Sequence, residues 1–304
     1  MLKIQSAINH LVQGFHLLAK PIGPLCNLNC RYCFYLEKLV FFPNTPSYIM
    51  SDEILEAYIN KYILTQPSPV VEFVWQGGEP TLAGLDFYKR VISLQSPFSD
   101  KKKITNSLQT NGTLLTDDWC KFFKKHNFLV GLSIDGTKET HNRYRLDRNG
   151  NGTFDQVMNG LKLLQKHEVD YNAMVTVAEE TAHNPLDVYN FLKRQGVKFI
   201  QFTPVVERTA DIDATLLGLK LAGPPTREHT NENISVTPWS VQPETYGDFL
   251  ISIFDEWVRN DVGVITIMNF EWALNSWMGH NAVSPHRVRL CQAPKSSADR
   301  GVVF

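Results

Sequence analysis

Short runs of β-branched and aromatic residues alternate along the chain with longer stretches in which apolar residues recur every three or four positions. The first pattern suits a pleated strand, the second one face of a helix. Strands are predicted at residues 15–22, 70–75, 103–109, 128–134, 171–177 and 199–203. Between the first two, Ser51 caps a helix in which Ile54, Leu55, Tyr58, Ile59, Tyr62 and Ile63 repeat at helical spacing. Asp52 and Glu53 stand at the positive end of its dipole. Thr153 and Gln156 form a capping-box pattern ahead of Val157, Leu161 and Leu164, and Asn184 with Pro185 opens a helix that Gly196 closes. Such alternation makes parallel strands joined by crossover helices. Six units are too few for a closed eight-stranded barrel. The predicted fold is therefore α/β, an open partial (β/α)6 barrel of parallel strands with outer helices and ligands at the carboxyl ends of its strands.

After Glu207 the pattern breaks. Residues 216–242 are rich in Pro, Thr and Asn and read as an irregular insertion or linker. A helix follows at 244–260, with Phe249, Ile253 and Trp257 on one face, and a second at 270–278. The expected organisation is a barrel over residues 1–210, an insertion over 211–243 and a helical segment over 244–304.

Composition narrows the classes. The chain has 304 residues, 43% hydrophobic and 20% charged, enough to bury a substantial core. Thirty Lys and Arg against thirty-one Asp and Glu leave a net charge of −1, so neither nucleic acid nor an anionic membrane is an expected partner. No stretch reaches the roughly 20 apolar residues of a membrane helix. Residues 1–10 lack the plan of a signal peptide, and a cytoplasmic location is expected.

Three of the five cysteines, Cys26, Cys30 and Cys33, fall within eight residues in the loop after the first predicted strand, a crowding that suits metal better than disulfides. Soft thiolates select zinc or iron–sulfur clusters. A structural zinc site closes with four ligands, and neither Cys120 nor a nearby His offers an obvious fourth in sequence. Cys120 itself lies on a helical stretch and is expected as a small buried hydrophobe. Three other strands end in polar turns: Gln76-Gly77-Gly78-Glu79-Pro80, Gln109-Thr110-Asn111-Gly112 and Ser133-Ile134-Asp135-Gly136. Paired glycines let backbone approach a ligand or bend sharply, while Asn-Gly and Asp-Gly also serve as plain turns.

The run from Cys26 to Tyr35, with its aromatic before the third cysteine, resembles the signature of the radical S-adenosylmethionine superfamily, and residues 77–80 resemble its GGEP motif. That resemblance implies a 4Fe-4S cluster on Cys26, Cys30 and Cys33 with one iron left for S-adenosyl-L-methionine. It implies cofactor contacts from Gly77, Gly78, Glu79, Ser133 and Arg145, with Val205 and Val206 against the adenine. Arg145 lies in the charged run 142–148, so a solvated surface residue is the alternative reading there.

Blocks at 19–24, 33–38, 75–81 and 131–136 are similar to the anaerobic sulfatase-maturating enzymes. Those enzymes oxidise a Cys or Ser of a sulfatase to formylglycine through a 5'-deoxyadenosyl radical. By this analogy Tyr35 and Gln76 line the substrate side, and the implied partners are a sulfatase polypeptide and a reduced flavodoxin- or ferredoxin-type electron donor. The family carries a cysteine-rich extension of the SPASM type with two auxiliary clusters and an acidic base. Here Cys291 alone follows Cys120, so a chain truncated before that extension is expected, with no residue, Asp299 included, assignable as the base. Two alternatives stand beside this reading: another radical reaction on a peptide or small molecule, and a cluster-binding chain without turnover.

Overall fold

A computed structural model describes residues 14–44, 47–222 and 235–279. Within them one all-parallel sheet runs in sequence order: β1 (Leu18–Ala19), β2 (Val70–Trp75), β3 (Lys103–Thr110), β4 (Phe128–Ser133), β5 (Tyr171–Val177), β6 (Phe199–Pro204) and β7 (Thr266–Ile267). The helices are α1 (Asp52–Thr65), α2 (Leu85–Gln95), α3 (Asp117–Lys125), α4 (Lys138–Tyr144), α5 (Phe154–Lys166), α6 (Glu179–Ala182), α7 (Pro185–Arg194), α8 (Ile212–Leu216), α9 (Pro243–Asn260) and α10 (Met268–Trp277). This is the expected partial barrel, extended by the two-residue β7 on the far edge of β6.

Strand parity sorts the two faces. Val71, Phe73 and Trp75 of β2, Phe128, Val130 and Leu132 of β4, and Ala173, Val175 and Val177 of β5 are buried in one core with Leu55, Ile59, Tyr88, Phe123, Leu161 and Val188 of the helices. Full burial of a side chain such as Phe73 contributes about 1.5–3 kcal/mol. The period of two then turns Glu72, Ser107, Gln109, Ser133, Asn172, Thr176 and Gln201 to the opposite face. That face gathers polar side chains beside Val74, Leu129 and Met174, and at its carboxyl rim the loops after β1 to β6 meet.

Local detail departs from the pattern in three places. The strand predicted at 15–22 contracts to Leu18–Ala19. Upstream of it the Phe15 carbonyl accepts from the side chains of Gln66 (2.8 Å) and Tyr62 (3.3 Å), and downstream the chain turns at Gly23 (φ +54°). Ser51 does cap α1, accepting from the Ile54 amide at 3.4 Å, but Ile54 is exposed, so the buried face is narrower. The capping box at α5 does not form. Thr153 spends its hydroxyl on the Arg145 carbonyl (3.0 Å), and the Asn142 side chain accepts from the Phe154 amide instead (3.0 Å).

The later elements are tied back to the barrel. Asp261, just past α9, accepts from Tyr189 (2.7 Å) and Lys193 (2.8 Å) of α7, and the Trp257 indole donates to the Ile265 carbonyl (2.7 Å). Phe249, Ile253 and Trp257 are buried as the periodicity predicts. Of the predicted insertion, the described ends return to the rim: the Val241 amide donates to the Val205 carbonyl (2.9 Å) and the Glu179 amide to the Trp239 carbonyl (3.0 Å). Residues 223–234, Cys291 and Asp299 lie outside the described residues. Among the described residues no helix is long and apolar enough to cross a membrane.

Candidate cluster and cofactor site

The cysteine loop leaves β1 and is held on two sides. On one, the Gln76, Gly78 and Glu79 amides donate to the Ala19 (2.9 Å), Gly23 (2.8 Å) and Leu25 (2.9 Å) carbonyls. On the other, the Asn29 and Arg31 amides donate to the Leu146 (2.8 Å) and Tyr144 (2.9 Å) carbonyls, and Leu28 bridges Asp147. The Arg148 guanidinium donates to the Cys26 carbonyl through Nε (2.9 Å). A loop that would otherwise be mobile is thereby fixed before any ligand arrives.

Gly78 has a specific reason to be glycine. A Cβ there would lie 1.9 Å from the Leu25 carbonyl oxygen, and one at Gly77 (φ +119°) 2.9 Å from the Lys20 Cβ. The space the missing side chains leave is filled by the cysteine loop, so the glycines serve loop-on-loop packing. Glu79 is 1% exposed and its carboxylate accepts from the Thr81 amide (3.0 Å), the Thr81 hydroxyl (2.6 Å), the Thr110 hydroxyl (2.7 Å) and the Asn111 amide (2.8 Å). Three of these donors fall on Oε1 and one, the Asn111 amide, on Oε2. These bonds tie the start of its own turn to the end of β3, so Glu79 braces the loop from within. Burial raises its pKa, and these donors oppose that rise.

Arg145 is not a solvated residue of its charged run. It is 7% exposed and pairs bidentately with Asp135, Nε to Oδ2 at 2.8 Å and Nη2 to Oδ1 at 3.0 Å, with a further bond from Nη2 to Thr176 (3.0 Å). Burial opposes the guanidinium charge, but Asp135, Tyr32 and Cys30 together raise its pKa above the ordinary value. Asp135 also accepts from the Tyr32 hydroxyl (2.5 Å) and the Thr176 amide (2.9 Å). Tyr32, the aromatic between Cys30 and Cys33, is therefore anchored to the end of β4. Behind this pair, the Asp135 amide donates to His141 Nδ1 (3.3 Å), and His141 Nε2 meets the Thr153 hydroxyl (3.2 Å). None of this pairing is visible in the sequence, although each partner lies in or beside a motif.

The other predicted residues sit around the same rim. Ser133 ends β4 and is buried, while Val206 is exposed beside the buried Val205. Val205 packs with Tyr32, Tyr144 and Ala178, and Cys30 and Trp239 lie against them. Gln76 donates to Gln109 across β2 and β3, and the Tyr35 ring lies under Lys20 Nζ at 3.7 Å. Asn111 donates to Asn27 (2.9 Å), and Asn27 to Thr113 (2.9 Å), an amide chain beside Cys26 that sequence reading did not single out. Cys120 is fully buried on α3, away from the loop.

The donor set fits an iron–sulfur cluster. Burial pushes the Cys26 thiol up to about 11 and Cys30 to about 12. A cationic metal centre replaces those protons outright. Among the described residues no three His, Cys, Asp or Glu side chains gather closely enough for a single metal ion. The Trp239 indole N–H, enclosed against the cluster of Tyr32, Tyr144, Ala178 and Val205, is a further donor without a protein partner.

Known proteins resemble the chain over most of its length. The Radical SAM superfamily model matches residues 21–192. The serine-type anaerobic sulfatase-maturating enzyme of Bacteroides thetaiotaomicron is 44% identical over 265 residues, 87% of this chain and 62% of that protein. The cysteine-type enzyme of Clostridium novyi is 34% identical over 276 residues, 90% of this chain and 68% of that protein. A solved structure of native anSMEcpe with bound AdoMet and Cp18Cys peptide superposes with a TM-score of 0.71 at 34% identity, over 86% of this chain and 65% of that one. The chain thus spans less than two thirds of the Bacteroides protein and of the solved structure. It belongs to the radical SAM superfamily, as an enzyme closely related to the anaerobic sulfatase-maturating enzymes.

Proposed function

We propose that this chain oxidises a Cys or Ser of a sulfatase polypeptide to formylglycine. The observation that carries the reading is the convergence at one rim of the cysteine loop, the Gly77–Glu79 loop locked against it and the buried Arg145, in a chain 34–44% identical to sulfatase maturases. A 4Fe-4S cluster there would supply the one-electron reduction of S-adenosyl-L-methionine that yields a radical able to take the target's β-hydrogen, and the proton and second electron lost as the aldehyde forms would pass to a base and an electron acceptor of the kind the related enzymes carry in their cysteine-rich extension. Cys26, Cys30 and Cys33 hold the iron. Gly77 and Gly78 offer backbone to the cofactor's methionyl end, on a loop that Glu79 braces from within.

Ser133 offers a hydroxyl from the polar face, and Val205 and Val206 supply the apolar wall for the adenine. Arg145 uses three of its five donors on Asp135 and Thr176. Its Nη1 has no partner among the described residues and is not enclosed by protein, which leaves two donors for the cofactor carboxylate. Tyr35 and Gln76 face the peptide, and a flavodoxin or ferredoxin delivers the electron. The test is an anaerobic reconstitution with reductant and sulfatase peptides carrying Ser or Cys in a Cys/Ser-x-Pro-x-Arg context. Formylglycine, read as mass loss at the target residue together with 5'-deoxyadenosine, is the expected result. 5'-Deoxyadenosine with an unchanged peptide would overturn the substrate assignment, and absence of both products would overturn the enzyme reading.

A further inference from the structure

Asp135 is the one charged member of the Ser133–Gly136 turn, and no contact with cluster, cofactor or substrate accounts for it. Its carboxylate is wholly enclosed, and a buried ion pair is a costly way to stabilise a fold when an apolar pair of similar volume does as well or better. Each oxygen accepts two bonds: Oδ2 from Tyr32 and Arg145 Nε, Oδ1 from Arg145 Nη2 and the Thr176 amide. Its acceptor capacity is filled, so it has no lone pair left for a ligand or a substrate proton. What the four bonds accomplish is alignment. Tyr32 belongs to the cysteine loop 103 residues upstream, Arg145 follows α4, and Thr176 lies on β5.

We propose that Asp135 is the positioning residue of the site, one buried carboxylate that sets the cysteine loop, through Tyr32, and the Arg145 guanidinium in a fixed mutual geometry. Its action on Arg145 is to consume Nε and one edge of Nη2, leaving Nη1 as the end presented to the cofactor. Its action on the cluster is to hold the segment between Cys30 and Cys33 against the rim. The inference rests on the cofactor role of Arg145 given above.

Asp135→Asn keeps the shape and removes the charge, while Tyr32→Phe removes one bond and leaves the ion pair. Both are measured in the reconstituted chain for iron content, for S-adenosylmethionine affinity read from the change it causes in the reduced cluster's electron paramagnetic spectrum, and for the rate of iron loss to a chelator. In Asp135→Asn, iron still loads, affinity falls by about ten-fold or more and iron leaves several-fold faster. In Tyr32→Phe, iron leaves faster while affinity stays within about three-fold. A merely structural role would lower the melting temperature of Asp135→Asn but leave the affinity and iron-loss rate of its folded fraction at wild-type values, and that result overturns the proposal. If Asp135→Asn does not fold, an unchanged iron-loss rate in Tyr32→Phe overturns it instead. A wild-type chain that loads iron yet binds no S-adenosylmethionine would sink the functional reading, and the Tyr32→Phe rate would still report on Asp135.

Discussion

His141 has to be a neutral imidazole. Its Nδ1 accepts from the Asp135 amide and the Thr153 hydroxyl is committed to the Arg145 carbonyl, which leaves Nε2 as the protonated nitrogen donating to Thr153. Burial lowers its pKa to about 4 from an ordinary 6.5. Above about pH 6.5 both folded and unfolded states are neutral, and His141 adds no pH dependence. As pH falls below that value the unfolded chain takes up a proton the folded one refuses. Stability therefore drops with falling pH until about 4, where the folded state protonates too, by about 3 kcal/mol in all. Urea denaturation at about pH 7 and about pH 5 checks this. His141→Gln, which keeps a donor and an acceptor, is expected to flatten the difference, and an equally steep dependence in that variant would reassign it to other groups.

Among the elements, the glycines separate by what surrounds them. Gly78→Ala places a Cβ on the Leu25 backbone, which has no side-chain freedom with which to give way. The variant is expected to lose about 1–3 kcal/mol of stability and, because Leu25 directly precedes Cys26, a large part of its iron loading. Gly247 lies inside α9 with nothing within 4 Å of its virtual Cβ. Gly247→Ala is expected to raise stability by about 0.5–1 kcal/mol with iron content unchanged. Thermal melts paired with iron analysis test both at once, and normal iron in Gly78→Ala would show that the loop packing does not govern the cluster.

At the scale of the molecule, the polar face and its rim form a site whose ligands bind only the folded chain. S-Adenosylmethionine at about 100 times its Kd is then expected to stabilise the iron-loaded protein by about 2.7 kcal/mol, a rise of a few degrees in melting temperature for a chain of this size. Arg145→Ala removes the proposed carboxylate contact and is expected to abolish most of that rise. Because the same change leaves Asp135 buried without its cation, its own melting temperature falls as well. The decisive quantity is the ligand-induced difference within each variant, and an undiminished rise in Arg145→Ala would take the cofactor carboxylate away from this residue.

Much of this was legible in the residues alone, and for a common reason. Helix and strand periods, the Ser51 cap, the Gly196 stop and the Cys26–Cys33 spacing are all local, set within a few residues by backbone geometry and side-chain type. They suffice for parallel strands, outer helices and three thiols on one loop. The partners of those features are set by strand register and loop packing, which bring together segments that share no local pattern. Thr153 reads as a cap by spacing, yet once α4 packs on α5 its hydroxyl donates to the Arg145 carbonyl and accepts from His141 rather than from its own helix. From sequence, Arg145 reads as a carboxylate contact by resemblance or as a solvated residue of a charged run, and Glu79 as orienting either the cofactor or its own loop. Only the tertiary structure brings Asp135 to the first and four donors to the second, since burial forces every charge and lone pair to find a protein partner or remain exposed to a ligand.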